Sequence, residues 1–248
     1  MDLGLAGRRY VVTAGSRGLG FATAEVLSGE GARVLIAARD ARRVEEAVGL
    51  LGDGSLGLAL DLTQPDAARR LADEVRARWG SLDGLVVNVG GPAPGRALDY
   101  SDAAWADAVD GVLLASIRTL REMVPLLEPG SSVLVVLSTT VKEPIPVLGA
   151  SNVLRPGLAM LVKDLAGELA PGIRVNGILP GRIATARTLA LDGPDPRARE
   201  AQEGRIPLGR YGDPEEFGRV AAFLLSPAAG YVTGVLVPVD GGLLRSPW

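Results

Sequence analysis

The sequence predicts a single α/β domain with a doubly wound parallel sheet of about seven strands and helices on both faces. Apolar, strand-like runs alternate with helical patterns along all 248 residues, and no linker, repeat or low-complexity tract divides them. The first apolar run, at 11–13, ends in a glycine-rich turn that opens a helical pattern. A central apolar run, Val133–Leu137, ends at Ser138, where open parallel sheets place their ligands. These three observations predict one domain that spans residues 1–248.

The glycine-rich turn at 14–20 is the first candidate site. Its glycines at 15, 18 and 20 allow a tight turn and a close backbone approach. The free amides at the N-terminus of the following helix can then face a diphosphate. A merely structural turn would have the same composition, so the motif needs support from the rest of the chain.

The second strand, predicted at 33–38, ends where a dinucleotide-binding fold meets the adenosine ribose. An acid there would select NAD, whereas this chain has Ala38 followed by Arg39. Arg17 in the glycine-rich turn can reach the same place. Each arginine alone is explained as a solvated surface residue, but two guanidinium groups together suit a 2′-phosphate. We therefore expect NADP(H) to be favoured over NAD(H).

The remaining elements follow in alternation. They are a helix at 41–50, a strand at 56–60, a helix from Pro65 to Trp79, a strand at 85–87, a long helix from Ser101 to Leu127, a helix at 150–170 and a strand from Ile173. Residues 186–209 contain Gly, Pro and Arg with little periodicity, which predicts a mobile substrate lid.

Composition excludes several classes of function. A formal charge of −3 and a pI near 5.2 give no electrostatic basis for nucleic-acid binding. No uncharged apolar run is long enough to span a bilayer, and residues 1–4 do not begin a signal sequence, so a cytoplasmic location is expected. The chain has no cysteine and no histidine, which excludes disulfides, thiolate nucleophiles, Ser-His-Asp triads and the usual zinc sites. We expect no bound metal.

The spacing Gly-x-x-x-Gly-x-Gly, preceded by Thr13-Ala14, resembles the cofactor loop of the short-chain dehydrogenase/reductase family. Residues 88–91, Asn-Val-Gly-Gly, are similar to that family's Asn-Asn-Ala-Gly, and the stretches 173–185 and 207–242 are similar to its later motifs. The resemblance spans the chain and is nearest to the beta-ketoacyl-acyl carrier protein reductase-like subgroup. It implies a Rossmann fold, and a homotetramer built partly through the helices at 101–127 and 150–170.

The resemblance also implies a set of cofactor-binding residues. They are Gly15, Ser16, Arg17, Gly18, Leu19, Gly20, Arg39, Asp61, Leu62, Asn88, Val89, Gly90, Pro180, Gly181, Ile183 and Thr185. In the family an acid-apolar pair at 61–62 holds the adenine edge; capping of the next helix, the alternative, would be served better by Thr63. Asn88 would tie the sheet together beside the cofactor, and Ile183 and Thr185 would contact the nicotinamide carboxamide.

The catalytic positions depart from the family pattern. Ser138 matches the family's catalytic serine, but Ser151 stands at the position of its Tyr and Arg155 at that of its Lys. The Asn that anchors a relay water in the family aligns with Val112. A tyrosine titrates near 10 and can be tuned toward neutrality, whereas a serine hydroxyl is a far weaker acid and Arg stays protonated. The four-residue spacing places Ser151 and Arg155 on one helix face.

Three functions remain open. The first is an NADP(H)-dependent reductase of a carbonyl or acyl-thioester substrate. In it Ser138 and Ser151 bind the substrate oxygen, Arg155 stabilises its negative charge, and water or Lys142 supplies the proton. The second is a catalytically silent NADP(H) sensor or scaffold. The third is a quinone or imine reductase, which has less need of a Tyr acid.

Other polar and aromatic residues have a simpler interpretation. Lys142 lies beside Glu143, and a lysine in such a place more often forms a surface ion pair than donates a proton. Tyr100 and Tyr211 are the remaining phenols that could lie near the site, without motif support. Trp105 and Trp248 are expected to be packing residues.

Overall fold

The structure is a computed structural model that describes residues 2–246. The packing role predicted for Trp248 lies outside the described residues.

The centre of the fold is a parallel sheet of seven strands in the order β3-β2-β1-β4-β5-β6-β7. The strands are β1 Arg9–Thr13, β2 Arg33–Ala38, β3 Leu56–Ala59, β4 Leu82–Val87, β5 Leu127–Val136, β6 Ile173–Pro180 and β7 Leu236–Val239. This order confirms the doubly wound sheet. The chain adds β2 and β3 on one side of β1 and then β4 to β7 on the other. The connections after β1 and after β4 therefore leave on opposite faces of the sheet, and a crevice opens at the carboxyl ends of those two strands.

Helices cover both faces of the sheet within the described residues. They are α1 Gly18–Gly29, α2 Ala41–Leu51, α3 Ala67–Arg78, α4 Asp102–Ala108, α5 Ala115–Met123, α6 Gly149–Glu168, α7 Ala186–Asp192, α8 Pro196–Glu203 and α9 Pro214–Leu225. One core lies between the sheet and α3, α5 and α6; the other lies between the sheet and α1, α2 and α9. Successive strand residues point to opposite faces, so Val11 enters the first core and Val12 the second.

The long helix predicted from Ser101 to Leu127 is present as a continuous helical run from Asp102 to Leu126, but it is not a single α-helix. A π-helical segment, Val109–Leu114, separates α4 from α5, and a 3₁₀ turn, Val124–Leu126, follows α5. Just past the π segment, the hydroxyl of Ser116 donates to the carbonyl oxygen of Val112 at 2.7 Å. Such back-bonding bends helices, and no apolar periodicity reveals it.

The start of the third helix was also misplaced. The helix predicted from Pro65 begins at Ala67, after Asp66 as N-cap. Neither Asp61 nor Thr63 caps it, because the carboxylate of Asp61 accepts hydrogen bonds from the amide and hydroxyl of Thr63 at 3.1 and 2.9 Å. The pair closes a local turn instead.

Residues 186–209, which showed little periodicity, contain two helices, α7 and α8. Neither helix has a buried residue, so no apolar stripe marks them in the sequence. Asp192 joins α7 to the base of the segment by pairing with Arg182 and accepting a 2.7 Å hydrogen bond from the hydroxyl of Tyr211. We keep the name lid segment for 186–209.

Candidate active site

The glycine-rich turn has the geometry of a phosphate cradle. Gly18 has φ +57°, a left-handed conformation that favours glycine. A Cβ on Gly20 would lie 2.5 Å from the carbonyl oxygen of Ala14 and 2.7 Å from Nδ2 of Asn88, so a larger residue has no room. Helix α1 has no side-chain cap and no acid in its first turn. Its first amides are thus open to an anion.

Asn88 links the two strands that flank the crevice. Its amide donates to Oγ1 of Thr13 at 2.9 Å, and the Thr13 hydroxyl donates to the Asn88 carbonyl oxygen at 2.7 Å. Nδ2 of Asn88 also donates to the carbonyl oxygen of Ala14 at 3.4 Å. The sequence-based expectation that Asn88 ties the sheet together agrees with these contacts. Its place beside a cofactor stays a prediction.

The segment after β6 forms the opposite wall of the crevice. The γ-methyl of Thr185 lies 3.7 Å from where a Cβ on Gly18 would be, and Thr185 Oγ1 accepts from the amide of Thr188 to cap α7. Ile183 is buried. A Cβ on Gly181 would lie 2.6 Å from Cβ of Asp240, which explains why glycine follows Pro180. The carboxamide contacts predicted for Ile183 and Thr185 remain predictions.

Arg17 and Arg39 are both exposed, and within residues 2–246 neither has a carboxylate within 4 Å. Their guanidinium groups are thus available to a phosphate. Leu62 is partly buried against the core, and Asp61 is held in the turn with Thr63. The adenine contact of this pair stays a prediction.

Three hydroxyl groups cluster at the carboxyl end of β5. Oγ of Ser138 accepts from the amide of Thr140 at 3.1 Å, and Oγ1 of Thr140 lies 3.2 Å from Oγ of Ser151. Thr140 and Ser151 are 4% and 5% exposed. Ser138 and Ser151 are thus connected through Thr140, a residue that sequence reasoning did not select. The only signal for it was its place in the hydroxyl-rich run that follows the strand.

Arg155 lies on the same buried face of α6 as Ser151, as the four-residue spacing predicts, and is 7% exposed. Its Nη1 donates to the carbonyl oxygens of Val136 and Leu137 at 2.9 and 3.0 Å. Burial, together with the positive charge of Arg187, lowers the pKa of Arg155 to about 10. The guanidinium is therefore a buried, charged group at the end of β5 at neutral pH.

The surface ion pair expected between Lys142 and Glu143 does not form in residues 2–246. Glu143 instead accepts from the backbone amides of Arg245 and Ser246 at 2.8 and 2.9 Å. The two backbone amides compete with Lys142 for the Glu143 carboxylate. They come from a distant part of the chain, so the adjacent charges in the sequence do not predict this contact. The ammonium group of Lys142 has no carboxylate within 4 Å in the described chain.

The hydroxyls of both candidate phenols, Tyr100 and Tyr211, already donate hydrogen bonds within the protein. The hydroxyl of Tyr100 donates to the carbonyl oxygen of Ala93, and its ring packs on Trp105 with centroids 5.3 Å apart. The hydroxyl of Tyr211 donates to Asp192, and burial together with this bond raises the Tyr211 pKa to about 12. Neither phenol has a hydrogen bond to the hydroxyl cluster of Ser138, Thr140 and Ser151.

The structure has neither a metal cluster nor a membrane-spanning helix within residues 2–246. No three acidic, His or Cys side chains there gather as a metal site would require. No helix in that range combines the length and apolarity needed to cross a bilayer.

Comparison with known proteins decides the family. A family model described as enoyl-(acyl carrier protein) reductase matches residues 13–244. The chain is 30% identical over 244 residues to 3-oxoacyl-acyl-carrier-protein reductase FabG of Vibrio cholerae, covering 97% of this chain and 99% of that protein. The chain belongs to the short-chain dehydrogenase/reductase family. The family resemblance found in the sequence is thereby confirmed, and the chain is an oxidoreductase of the class acting on CH-OH and C=O groups.

Solved members of the short-chain dehydrogenase/reductase family share the whole fold. L-sorbose reductase from Gluconobacter frateurii, in complex with NADPH and L-sorbose, is 30% identical with a TM-score of 0.93, over 99% of this chain and 100% of that one. An NADPH-bound short-chain oxidoreductase from Pseudomonas aeruginosa PAO1, described as containing an atypical catalytic center, is 33% identical with a TM-score of 0.90, over 96% and 97%. These neighbours support a nicotinamide cofactor for this chain. The open amides and close-packed glycines of the cradle at 14–20 fit a diphosphate.

Proposed function

We propose that this chain is an NADP(H)-dependent reductase of a carbonyl substrate, of the 3-oxoacyl-thioester type, whose proton donor is not a tyrosine. One observation supports this above the others. The hydroxyl cluster of Ser138, Thr140 and Ser151 and the buried cation of Arg155 both lie at the carboxyl end of β5, on the edge of the sheet where the cradle also lies. A carbonyl oxygen at that point would find both hydroxyl donors and a positive charge.

Each of these residues has a definite task in the proposal. The bound nicotinamide supplies or accepts the hydride. Ser138 and Ser151 hold the substrate oxygen, while Thr140 fixes the positions of both serine hydroxyls. Arg155, held charged by two strand carbonyls, stabilises negative charge on that oxygen from a water-poor position. Lys142 or water delivers the proton, since Arg155 does not release one at neutral pH.

The experiment that tests this function is a substrate screen with the purified protein. NADPH oxidation is followed with ketones, 3-oxoacyl thioesters, quinones and imines, after a titration has shown that the cofactor binds. We expect turnover with 3-oxoacyl thioesters or ketones. Turnover confined to quinones or imines would favour the alternative reductase, and cofactor binding without turnover of any class would favour a silent sensor or scaffold.

We also propose that the cofactor is NADP(H) rather than NAD(H). Arg17 and Arg39, which have no ion pair within residues 2–246, would flank the 2′-phosphate, and Ala38 stands where an acid would select NAD. Changing Arg39→Asp should weaken NADPH binding by about 1–3 kcal/mol and NADH binding much less. Calorimetry with both cofactors measures this. Arg42→Asp is the matched control, because the Arg42 side chain on α2 is 79% exposed and forms an ion pair with Glu46. Equal affinities of the parent for NADPH and NADH would contradict the proposal.

The assembly we propose is a homotetramer in which α6 and the neighbouring α4–α5 run form one interface. Met160 and Val153 on α6 are 71% and 56% exposed, and Met160 borders a groove with Leu113 and Ile117. Met160→Arg should therefore shift sedimentation to a smaller species, because an arginine placed in an apolar contact lacks a partner. Leu50→Arg on α2, 73% exposed in the parent, should leave the assembly unchanged. A parent that sediments as a monomer would disprove the interface.

A further inference from the structure

The loop at 142–148 connects the turn that carries Thr140 to the helix that carries Ser151. It contains Pro144 and Pro146, which have no amide hydrogen. The loop can therefore form few backbone hydrogen bonds of its own, and its position depends on contacts from other elements.

Asn152 on α6 is the first anchor of this loop. Its Oδ1 accepts from the amide of Ile145 at 3.1 Å, and its Nδ2 donates to the carbonyl oxygen of Ile145 at 2.9 Å. Both polar groups of the side-chain amide are thus used on one loop residue. Asn152 directly follows Ser151, whose Oγ lies 3.2 Å from Oγ1 of Thr140. Two consecutive residues of α6 therefore hold the two ends of the stretch 140–145.

Glu143 is the second anchor. Its Oε1 accepts from the amides of Arg245 and Ser246 at 2.8 and 2.9 Å, which ties the loop to the segment after β7. Asp240 shapes that segment, because its two carboxylate oxygens accept from amides two and four residues further along the chain, at 3.0 and 2.8 Å. The bonds to Glu143 are charge-assisted and thus stronger than bonds between neutral groups.

Val147 shows that the loop is strained. Its φ is +58°, in the left-handed region that a β-branched residue rarely adopts. Its side chain is 58% exposed, so side-chain packing does not hold this conformation. Its carbonyl oxygen accepts from the amide of Gly95 at 2.7 Å. Strain of this kind persists only where the surrounding contacts fix the backbone, and it is frequent at functional sites.

We propose that Asn152 and Glu143 are positioning residues that hold the strained loop and, through it, the hydroxyl cluster. The inference rests on the proposed reductase, in which this cluster holds the substrate oxygen. Without an anchor, Val147 can return to an unstrained φ, and the loop moves with it. Thr140 lies in the turn that leads into the loop, so its spacing to Ser151 then changes as well. A functional site keeps its geometry only when a second layer of contacts supports it.

The first test compares Asn152→Leu with the matched control Asn176→Leu. Asn176 also makes a two-point contact with a loop, donating to the carbonyl oxygen of Val232 at 2.9 Å and accepting from the amide of Val235 at 3.3 Å. Asn152→Leu should lower kcat about 10- to 100-fold, since a small misplacement of reacting groups has effects of this size. It should leave the dissociation constant of NADPH unchanged. Asn176→Leu should lower the unfolding midpoint and leave kcat unchanged.

The second anchor is tested by a pair of variants at Glu143. Glu143→Leu removes the acceptor for both amides and should lower kcat as Asn152→Leu does. Glu143→Gln keeps an oxygen in the same place and should retain most of kcat.

The role of the strain is tested by rescue. Asparagine tolerates the left-handed region better than a β-branched residue does, so Val147→Asn removes the reason for the loop to move. Val147→Asn alone should leave kcat unchanged, and in the Asn152→Leu background it should restore much of the lost kcat. A double variant as slow as Asn152→Leu would overturn the role assigned to the strain.

Each adverse outcome has a distinct meaning. Unchanged kcat in Asn152→Leu or in Glu143→Leu would overturn the inference while leaving the proposed function intact. An Asn176→Leu variant that loses as much kcat as Asn152→Leu would also overturn it, since any loosened loop would then have this effect. A parent that binds NADPH but turns over no substrate in the screen would overturn the proposed function and this inference together.

Discussion

Gly20→Ala is expected to lower the affinity for NADPH by about 10- to 100-fold and the free energy of unfolding by about 1–3 kcal/mol. The added Cβ would lie 2.5 Å from the carbonyl oxygen of Ala14 and 2.7 Å from Nδ2 of Asn88. One contact is backbone and the other is the amide that links β4 to β1, so neither can yield without moving the cradle. The first turn of α1 must then shift, and with it the amides that face the diphosphate.

The matched control for this change lies at the other end of the same helix. A Cβ on Gly29 meets nothing within 4 Å, and Gly29 is exposed. Gly29→Ala should thus leave NADPH binding unchanged and keep or raise stability, by up to about 1 kcal/mol. Urea unfolding and a fluorescence titration of NADPH measure both quantities. If Gly20→Ala binds NADPH like the parent, the cradle at 14–20 is not the diphosphate site.

The sheet and the cradle were predictable because local sequence determines them. Buried parallel strands are continuous apolar runs in the sequence. A glycine with positive φ, such as Gly18, indicates a turn whatever the tertiary structure around it. The same local logic failed for the π segment at 109–114, where a shift in helical register leaves the apolar pattern almost unchanged. Helices α7 and α8 were not predicted because they bury no residue and so have no apolar pattern.

The sequence predicted which positions form the candidate site, but not the contacts that their side chains make. Motif spacing located Ser138, Ser151 and Arg155, and the fold gathers all three at the end of β5. Motif spacing could not reveal that Thr140 lies between the two serines. Nor could it reveal that Nη1 of Arg155 donates hydrogen bonds to two strand carbonyls. These contacts depend on side-chain directions across two elements, which spacing along one element does not encode. The contact between Arg187 and the carbonyl oxygen of Pro92 could not be predicted either, because the two residues are 95 positions apart in the sequence.

Installing the family residues in this site should destroy the native reaction rather than improve it. In Ser151→Tyr with Arg155→Lys, we expect the activity found in the substrate screen to fall by about 10²- to 10³-fold, the range for loss of a positioned donor to a developing oxyanion. Lys can keep the bonds to Val136 and Leu137, but its single nitrogen does not reproduce the planar fork of Arg155. The tyrosine ring must also enter a position that is 5% exposed and lies 3.2 Å from the hydroxyl of Thr140. The hydroxyl cluster would be lost in the same step.

The two single variants separate these causes. Arg155→Lys alone removes the fork and keeps the cluster, whereas Ser151→Tyr alone disrupts the cluster and keeps the fork, so a site in which the two act together should show losses that do not add. Rates for the native substrate class and for simple ketones are measured on one preparation, with bound NADPH confirmed and unfolding midpoints compared. A double variant that gains ketone reduction and retains the native rate would mean that Ser151 and Arg155 have only drifted from the family pattern. A double variant that binds NADPH normally and loses the native rate would instead mean that the site has been rebuilt around the buried guanidinium of Arg155.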